Sequence, residues 1–211
     1  MDLIVSPAVL IPRPETEHVI EAVLECVKQG GVDKVGVERA PSPASPRRIV
    51  DVGTGSGAIA LALAKEFPQA EVHATDISAP ALEIARANAS RHQLADRIHF
   101  HQTDLLAGLN PSFDFVVSNP PYVGESEADQ VQLEVRRFEP RNAVFAGARG
   151  LEVIERLIPA AQAALKPGGW LVMEISGTIA DQVRSLLKDW SEVVIKPDLQ
   201  SIPRVALARN M

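Results

Sequence analysis

The chain has 211 residues, 46% of them hydrophobic and 23% charged, with a formal net charge of −6. That length and balance suit one globular domain with one sizeable core. They argue against a protein whose main task is coating nucleic acid, which would carry a basic surface. No apolar run approaches the ~18 residues that cross a bilayer, and no signal-peptide pattern opens the chain. The lone cysteine, Cys26, has no internal disulfide partner. A reducing, cytoplasmic setting is the expectation.

In chain order, residues 2–11 alternate weakly in polarity and run into I-P-R-P-E-T-E, where the prolines and acidic residues predict a helix start near Pro14. From Thr16 to Lys28, Val19, Ile20, Val23, Leu24 and Val27 recur at helical spacing. Cys26 stands beside that stripe and reads as a small packing residue. Residues 29–48 contain G-G-V-D-K-V-G and A-P-S-P-A-S-P, with no apolar period and many breakers, and read as a surface loop.

Regular alternation follows. R-R-I-V-D-V is a short buried strand, A-I-A-L-A-L-A-K-E-F a helix, A-E-V-H-A-T-D a second strand and A-P-A-L-E-I-A-R-A-N-A-S-R-H a helix with proline at its start. R-I-H-F-H and F-D-F-V-V-S are the third and fourth strands. After a long loop, residues 150–165 read as a helix despite Pro159. G-W-L-V-M-E-I is a fifth strand, residues 179–190 a helix, and V-A-L-A-R a last strand. Strands alternating with helices predict an α/β fold, a sheet with helices on both faces. No metal-ligand spacing appears, and His99 and His101 fall on one side of a strand as surface residues. Arg136 and Arg137 fit either a local basic patch or a solvated helix face.

In such a sheet, ligands bind outside the carboxyl ends of the strands, and three features fall there. Asp51 ends the first strand, before a turn formed by Gly53, Thr54, Gly55, Ser56 and Gly57. Glycines let the backbone approach a ligand closely, and the helix amides behind them suit a carboxylate or phosphate. Asp76 ends the second strand, where a carboxylate can accept from both ribose hydroxyls. Asp104 and Leu105 follow the third, placed to meet a purine ring. These residues predict a nucleotide-like cofactor. Gly53-x-Gly55-x-x-Ala58 also satisfies the dinucleotide fingerprint, so nicotinamide binding stays open at this point.

The fourth strand ends in S-N-P-P-Y-V, Ser118 to Val123. In a doubly wound sheet its carboxyl end lies beside the first strand's, which brings Asn119 to the glycine turn. Proline has no N–H and holds the residue before it extended. The carbonyls of Asn119 and Pro120 and the Asn119 side-chain oxygen therefore form a rim of acceptors, with Tyr122 adding a flat face. That rim suits a planar NH₂ group, whose nitrogen is a poor nucleophile until its hydrogens are held and its growing charge is stabilised. No Ser/His/Asp or Cys/His arrangement competes.

With these motifs in hand, the chain resembles the class I S-adenosylmethionine-dependent methyltransferases, and within them the protein-glutamine N5-methyltransferases that act on bacterial peptide-chain release factors. The resemblance rests on L-I-P-R-P-E-T-E, D-V-G-T-G-S-G-A-I-A-L-A-L-A, D-I-S-x-x-A-L-x-x-A-x-x-N-A, S-N-P-P-Y-V and E-P-R-N-A-V-F-A-G-x-x-G-L-E. It implies a doubly wound, mostly parallel seven-stranded sheet with an antiparallel last strand. It implies that Gly53 to Gly57 wrap the methionine part of S-adenosylmethionine, that Asp76 holds the ribose, and that Leu105 lies near the adenine. Asn119, Pro120, Pro121 and Tyr122 would bind the glutamine of a Gly-Gly-Gln loop, with Asn119 also near the methyl donor. Arg13 and Glu15 would stand near the substrate channel.

The implied partner is a release factor, met by a monomer, with no membrane and no direct nucleic-acid contact. Family members carry a small helical bundle before the P-R-P segment. Residues 1–14 are therefore expected to be an entry segment left from that connection, and residues 15–211 the methyltransferase domain. The strand-five exit reads E-I-S-G-T-I where E-I-G is usual. Glutamine methylation of a ribosomal protein, amino-methylation of a nucleic-acid base, a nicotinamide-dependent dehydrogenase and a non-catalytic cofactor-binding module are the alternatives.

Overall fold

Seven strands form one sheet in the order β3-β2-β1-β4-β5-β7-β6. The computed structural model describes residues 1–29, 48–110 and 112–211; the expected loop at 29–48 lies, but for its two end residues, outside them. The strands are β1 (Arg48–Val52), β2 (Glu71–Asp76), β3 (Ile98–Gln102), β4 (Phe113–Ser118), β5 (Leu165–Glu174), β6 (Ser191–Pro197) and β7 (Pro203–Arg209). β3, β2, β1, β4 and β5 run parallel, while β7 is antiparallel to both β5 and β6. The order reverses between β1 and β4, the position where open α/β sheets bind ligands. Among the described residues, no helix is long and apolar enough to cross a membrane.

The period-2 alternation of the strands sorts their side chains onto two faces. Ile49, Phe115, Val117 and Val172 face one way, onto α1 (Glu17–Gln29) and α2 (Ala58–Glu66). Val50, Val116, Leu171 and Met173 face the other, onto α6 (Glu152–Ala164) and α7 (Ala180–Leu186). The central strands are buried on both faces and so read as largely apolar runs, interrupted only by Asp51 in β1 and Asp114 in β4. α1 begins after a 3₁₀ turn at Pro14–Thr16 with proline in its first turn, as the sequence predicted. It buries Val19, Ala22, Val23 and Cys26, so the stripe is rotated slightly toward Cys26, while Ile20 and Val27 sit at its margin. α3 (Ala79–Arg91) is capped by the Ser78 hydroxyl, which accepts from the Ala81 amide.

Three findings depart from the element-by-element reading. β6 was not picked out, because S-E-V-V-I-K-P is a half-exposed edge strand; Val194 is 45% exposed. The long loop after β4 holds α4 (Leu133–Phe138) and α5 (Arg141–Val144). His101 is half-buried and stacks on His73, with ring centroids 5.1 Å apart, and the exposed His99 also sets its ring 5.0 Å from that of His73. Arg136 and Arg137 both lie exposed on α4, Arg136 paired with Asp129.

The first residues are docked on the domain. The fully buried Asn88 accepts from the Ile4 amide at 2.6 Å and donates to the carbonyls of Ile4 and Ser56, both at 2.9 Å. Val9 is buried in turn. This brings residues 8–12 to the carboxyl ends of β1 and β4.

Candidate active site

The chain leaves β1 through Gly53 and Gly55, with φ of +70° and +54°, a backbone region that side chains rarely adopt. A Cβ added at either would meet no atom within 4 Å, so the turn faces open space. Asp51 anchors the turn from below. It is fully buried, and its Oδ2 accepts from Thr54 Oγ1 at 2.6 Å and from the Ala60 amide at 3.1 Å. Burial pushes its carboxyl up to about 7. Asp76 holds the turn from the side, accepting from the Gly55 amide and, with its other oxygen, from the Ser78 amide, each at 2.9 Å.

The turn forms one wall of a cavity of about 330 Å³. Gly53, Thr54, Gly55 and Ser56 line it, as do Asp76, Asp104 and Leu105 from the neighbouring strand ends. Asn119, Pro120 and Pro121 line it from β4. The register places Val52 opposite Ser118, whose hydroxyl donates to the Val52 carbonyl at 2.7 Å. The proximity expected of Asn119 and the glycine turn is therefore a property of the β1–β4 ladder.

Five residues named from the sequence lie outside the lining. Asp51 and Gly57 stand behind the turn, Gly57 as the residue before α2. Arg13 pairs with Glu139, a buried carboxylate whose Oε2 has no partner among the described residues. Glu15 is exposed, and its charge adds slightly to the rise that burial causes in the pKa values of Glu174 and Tyr122. Tyr122 packs its ring against the apolar cluster on the α6 side and donates its hydroxyl to Glu174 Oε1 at 3.2 Å.

The sequence reading did not single out Thr16, Glu174 or Arg156. Thr16 lines the cavity and donates to Glu174 Oε2 at 2.8 Å, while Asn119 Nδ2 donates to Thr16 Oγ1 at 3.1 Å. Arg156 reaches from α6 to pair with Asp104 at the cavity edge. Pro140, Asn142 and Phe145, from the E-P-R-N-A-V-F segment, also line the cavity. A parallel bridge between Val123 and Phe145 ties that segment to the residues after Tyr122. Glu174 carries the signal that marked Asp51 and Asp76, a carboxylate closing an apolar strand. Thr16 and Arg156 carry none.

The volume fits a small-molecule cofactor. The groups present also fit the one implied by resemblance: open glycine backbone, a carboxylate between two strand ends, and the apolar side chains of Leu105 and Ile77 beside it. A model of the methyltransferase small domain matches residues 37–137. The release factor glutamine methyltransferase of Koribacter versatilis (strain Ellin345) is 52% identical over 212 residues, covering 99% of this chain and 70% of the relative. That of Rhodopirellula baltica is 40% identical over 206 residues, covering 95% and 66%. The chain thus spans about two thirds of the length of these relatives.

Among solved structures, the N-terminal domain of human METTL16 in complex with SAH superposes with a TM-score of 0.63 at 20% identity, covering 99% of this chain and 75% of that one. The 16S rRNA N2 G1207 methyltransferase RsmC of T. thermophilus, in complex with AdoMet and guanosine, gives 0.66 at 19%, covering 95% and 44%. These likenesses show a shared fold. At the sequence level, the chain belongs to the release factor glutamine methyltransferase family.

Proposed function

We propose that the protein transfers a methyl group from S-adenosylmethionine to the side-chain amide nitrogen of the glutamine in a release factor's Gly-Gly-Gln loop. The observation that carries this reading is that the glycine turn and Asn119-Pro120-Pro121 line one cavity from adjacent strand ends. A nucleotide-like cofactor and an NH₂-gripping rim then share a wall. The 40–52% identical relatives support a protein glutamine as acceptor. The structural neighbour named as an rRNA methyltransferase shares only the fold. The lone cysteine supports a reducing, cytoplasmic setting.

S-adenosylmethionine supplies a methyl on a sulfonium, already activated, so the site needs neither a nucleophilic side chain nor a metal. The backbone of Gly53 to Ser56 would hold the amino-acid part and Asp76 the ribose, with Leu105 against the adenine. Asp51 and Gly57 shape the turn from behind, and the Arg156 pair fixes Asp104. The Asn119 side-chain oxygen and the Pro120 carbonyl would accept the two hydrogens of the glutamine NH₂, hold the nitrogen in place, and stabilise the positive charge it gains as its bond to the methyl carbon forms and the carbon–sulfur bond breaks; the nitrogen then loses one of those hydrogens to water as a proton. Pro121 stiffens that rim, and Tyr122 anchors it through Glu174. Arg13 and Glu15 belong to the mouth through which the glutamine loop enters.

Radiolabelled methyl transfer to a release factor, a ribosomal protein and DNA tests the acceptor. Label is expected on the release factor, at its glutamine. Label confined to DNA or to the ribosomal protein removes the reading. Asn119→Ala should lower kcat by roughly 10²–10³-fold, the scale of one transition-state hydrogen-bonding group, with a smaller loss of cofactor affinity. Turnover within a few-fold of wild type would show that the rim does not act this way.

A further inference from the structure

Glu174 closes β5 and is 2% exposed. A carboxylate so deeply buried needs donors, and each oxygen has one: Thr16 Oγ1 on Oε2 at 2.8 Å, and the Tyr122 hydroxyl on Oε1 at 3.2 Å. Thr16 has a single hydroxyl proton, and an ionised carboxylate can only accept. That proton is therefore committed to Glu174, which leaves the threonine oxygen as an acceptor for the amide above it. Asn119 Nδ2 occupies that position at 3.1 Å. The run Asn119–Thr16–Glu174 thus has one direction, and Glu174 sets it. With its NH₂ end tied to Thr16, the Asn119 amide keeps its Oδ1 end free, on a residue that lines the cavity.

We propose that Glu174 is a positioning residue for glutamine methylation: through Thr16 it fixes the Asn119 amide so that Oδ1, and not Nδ2, meets the substrate's NH₂ group. Tyr122, bonded to the other oxygen, ties the far end of the Asn-Pro-Pro-Tyr turn to the same carboxylate. The inference rests on the glutamine reading above, because a donor-rich substrate is what makes amide orientation matter. A flipped Asn119 would set donors against donors.

Charge on Glu174 is part of the device. Protonated, Glu174 can donate to Thr16, whose own proton then turns toward Asn119 and reverses the run. Burial raises the carboxyl above its ordinary value, against the Thr16 and Tyr122 bonds and the nearby Arg204 guanidinium on β7, while Glu15 adds to the rise. Glu174 is ionised above that raised value. The correct orientation is therefore present at higher pH and lost as pH falls through it, sooner than an ordinary glutamate would allow.

The test compares wild type with Glu174→Gln, Thr16→Val, Thr16→Ser and the double variant Glu174→Gln/Thr16→Val, with a release factor as acceptor. Melting curves check that each is folded, and calorimetry checks that S-adenosylmethionine still binds. Glu174→Gln and Thr16→Val should each lower kcat by roughly 10–100-fold, part of what the Asn119 contact is worth. Thr16→Ser should recover most of the loss. The double variant should be no worse than the poorer single one, since both cut one run of hydrogen bonds. The acid limb of the kcat–pH profile should disappear in Glu174→Gln.

The Asn119 side-chain amide gives a readout without any acceptor. Its ¹⁵N–¹H signal, assigned by its loss in Asn119→Ala, should titrate in wild type and stay fixed in Glu174→Gln. A signal that does not titrate, an additive double variant, or an acid limb surviving in Glu174→Gln overturns the positioning role. A titrating signal in an enzyme that labels no glutamine upholds the orientation device and removes the glutamine reading instead.

Discussion

At Asp76, both carboxylate oxygens already accept backbone amides, from Gly55 and Ser78. Each oxygen has a second lone-pair direction, so a ribose diol can share the carboxylate without displacing the turn. Asp76 thus shapes the glycine turn as well as facing the cavity. Asp76→Ala removes acceptors from both tasks. With hydrogen bonds to charged groups worth about 1.5–3 kcal/mol, cofactor affinity should fall by roughly 10–100-fold in calorimetry. Unchanged affinity would take Asp76 out of the site. Asp76 was legible because a carboxylate ending an apolar strand is costly unless something uses it. Glu174 has the same signature, yet its meaning depends on Thr16, which is 158 positions away in the chain. No local pattern joins the two. The orientation of Tyr122 was hidden for the same reason, since its partner is also Glu174.

At the scale of elements, Asn-Pro-Pro-Tyr is held from behind by the stretch between α5 and α6. The Ala146 amide donates to the Val123 carbonyl at 3.0 Å, and the Glu125 amide to the Gly147 carbonyl at 2.8 Å. Gly150 closes this stretch with φ at +78°, and a Cβ there would stand 2.6 Å from the Tyr122 carbonyl oxygen and 2.8 Å from the Gly124 nitrogen. Both neighbours are backbone, so neither can rotate away. Gly150→Ala should lower stability by about 1–3 kcal/mol, the scale of one strained backbone residue, and should reduce kcat by displacing the rim. A melting curve and a turnover assay read the two effects; a variant unchanged in both would mean that the stretch does not brace the rim. The segment A-G-A-R-G-L-E was visible as a motif, but its reason lies in an approach of two backbones that sequence spacing does not report. β6 was missed on other grounds. As an edge strand it buries few side chains, so V-V-I stands between charged residues and a proline with no two-sided apolar run to betray it.

Across the whole molecule, alternation of strands and helices was enough for a parallel α/β sheet, because buried parallel strands are apolar on both faces. Strand order was not carried by alternation. The antiparallel direction of β7 came through family resemblance, while its place between β5 and β6 was legible only in the structure. The entry segment and α1 complete the site from one end of the chain: Thr16 belongs to the Asn119 run, while ten residues further on Cys26 is buried against the sheet. That geometry couples the docking of α1 to the cofactor pocket, and Cys26 can report it. Burial pushes its thiol up to about 11, so about a thousandth is thiolate at pH 8. Cys26 as a residue is only 7% exposed, so an alkylating reagent must wait for α1 to leave the sheet. If α1 leaves only when the site is lost, S-adenosylmethionine at a hundred times its Kd should slow alkylation by about 100-fold, the ~2.7 kcal/mol by which ligand at that excess favours the bound fold. The measurement is the labelling rate of the native protein at several cofactor concentrations, with reclosing fast relative to reaction. A rate that ignores the cofactor would show that α1 frays on its own, and that the site does not need the helix that follows the Thr16 turn.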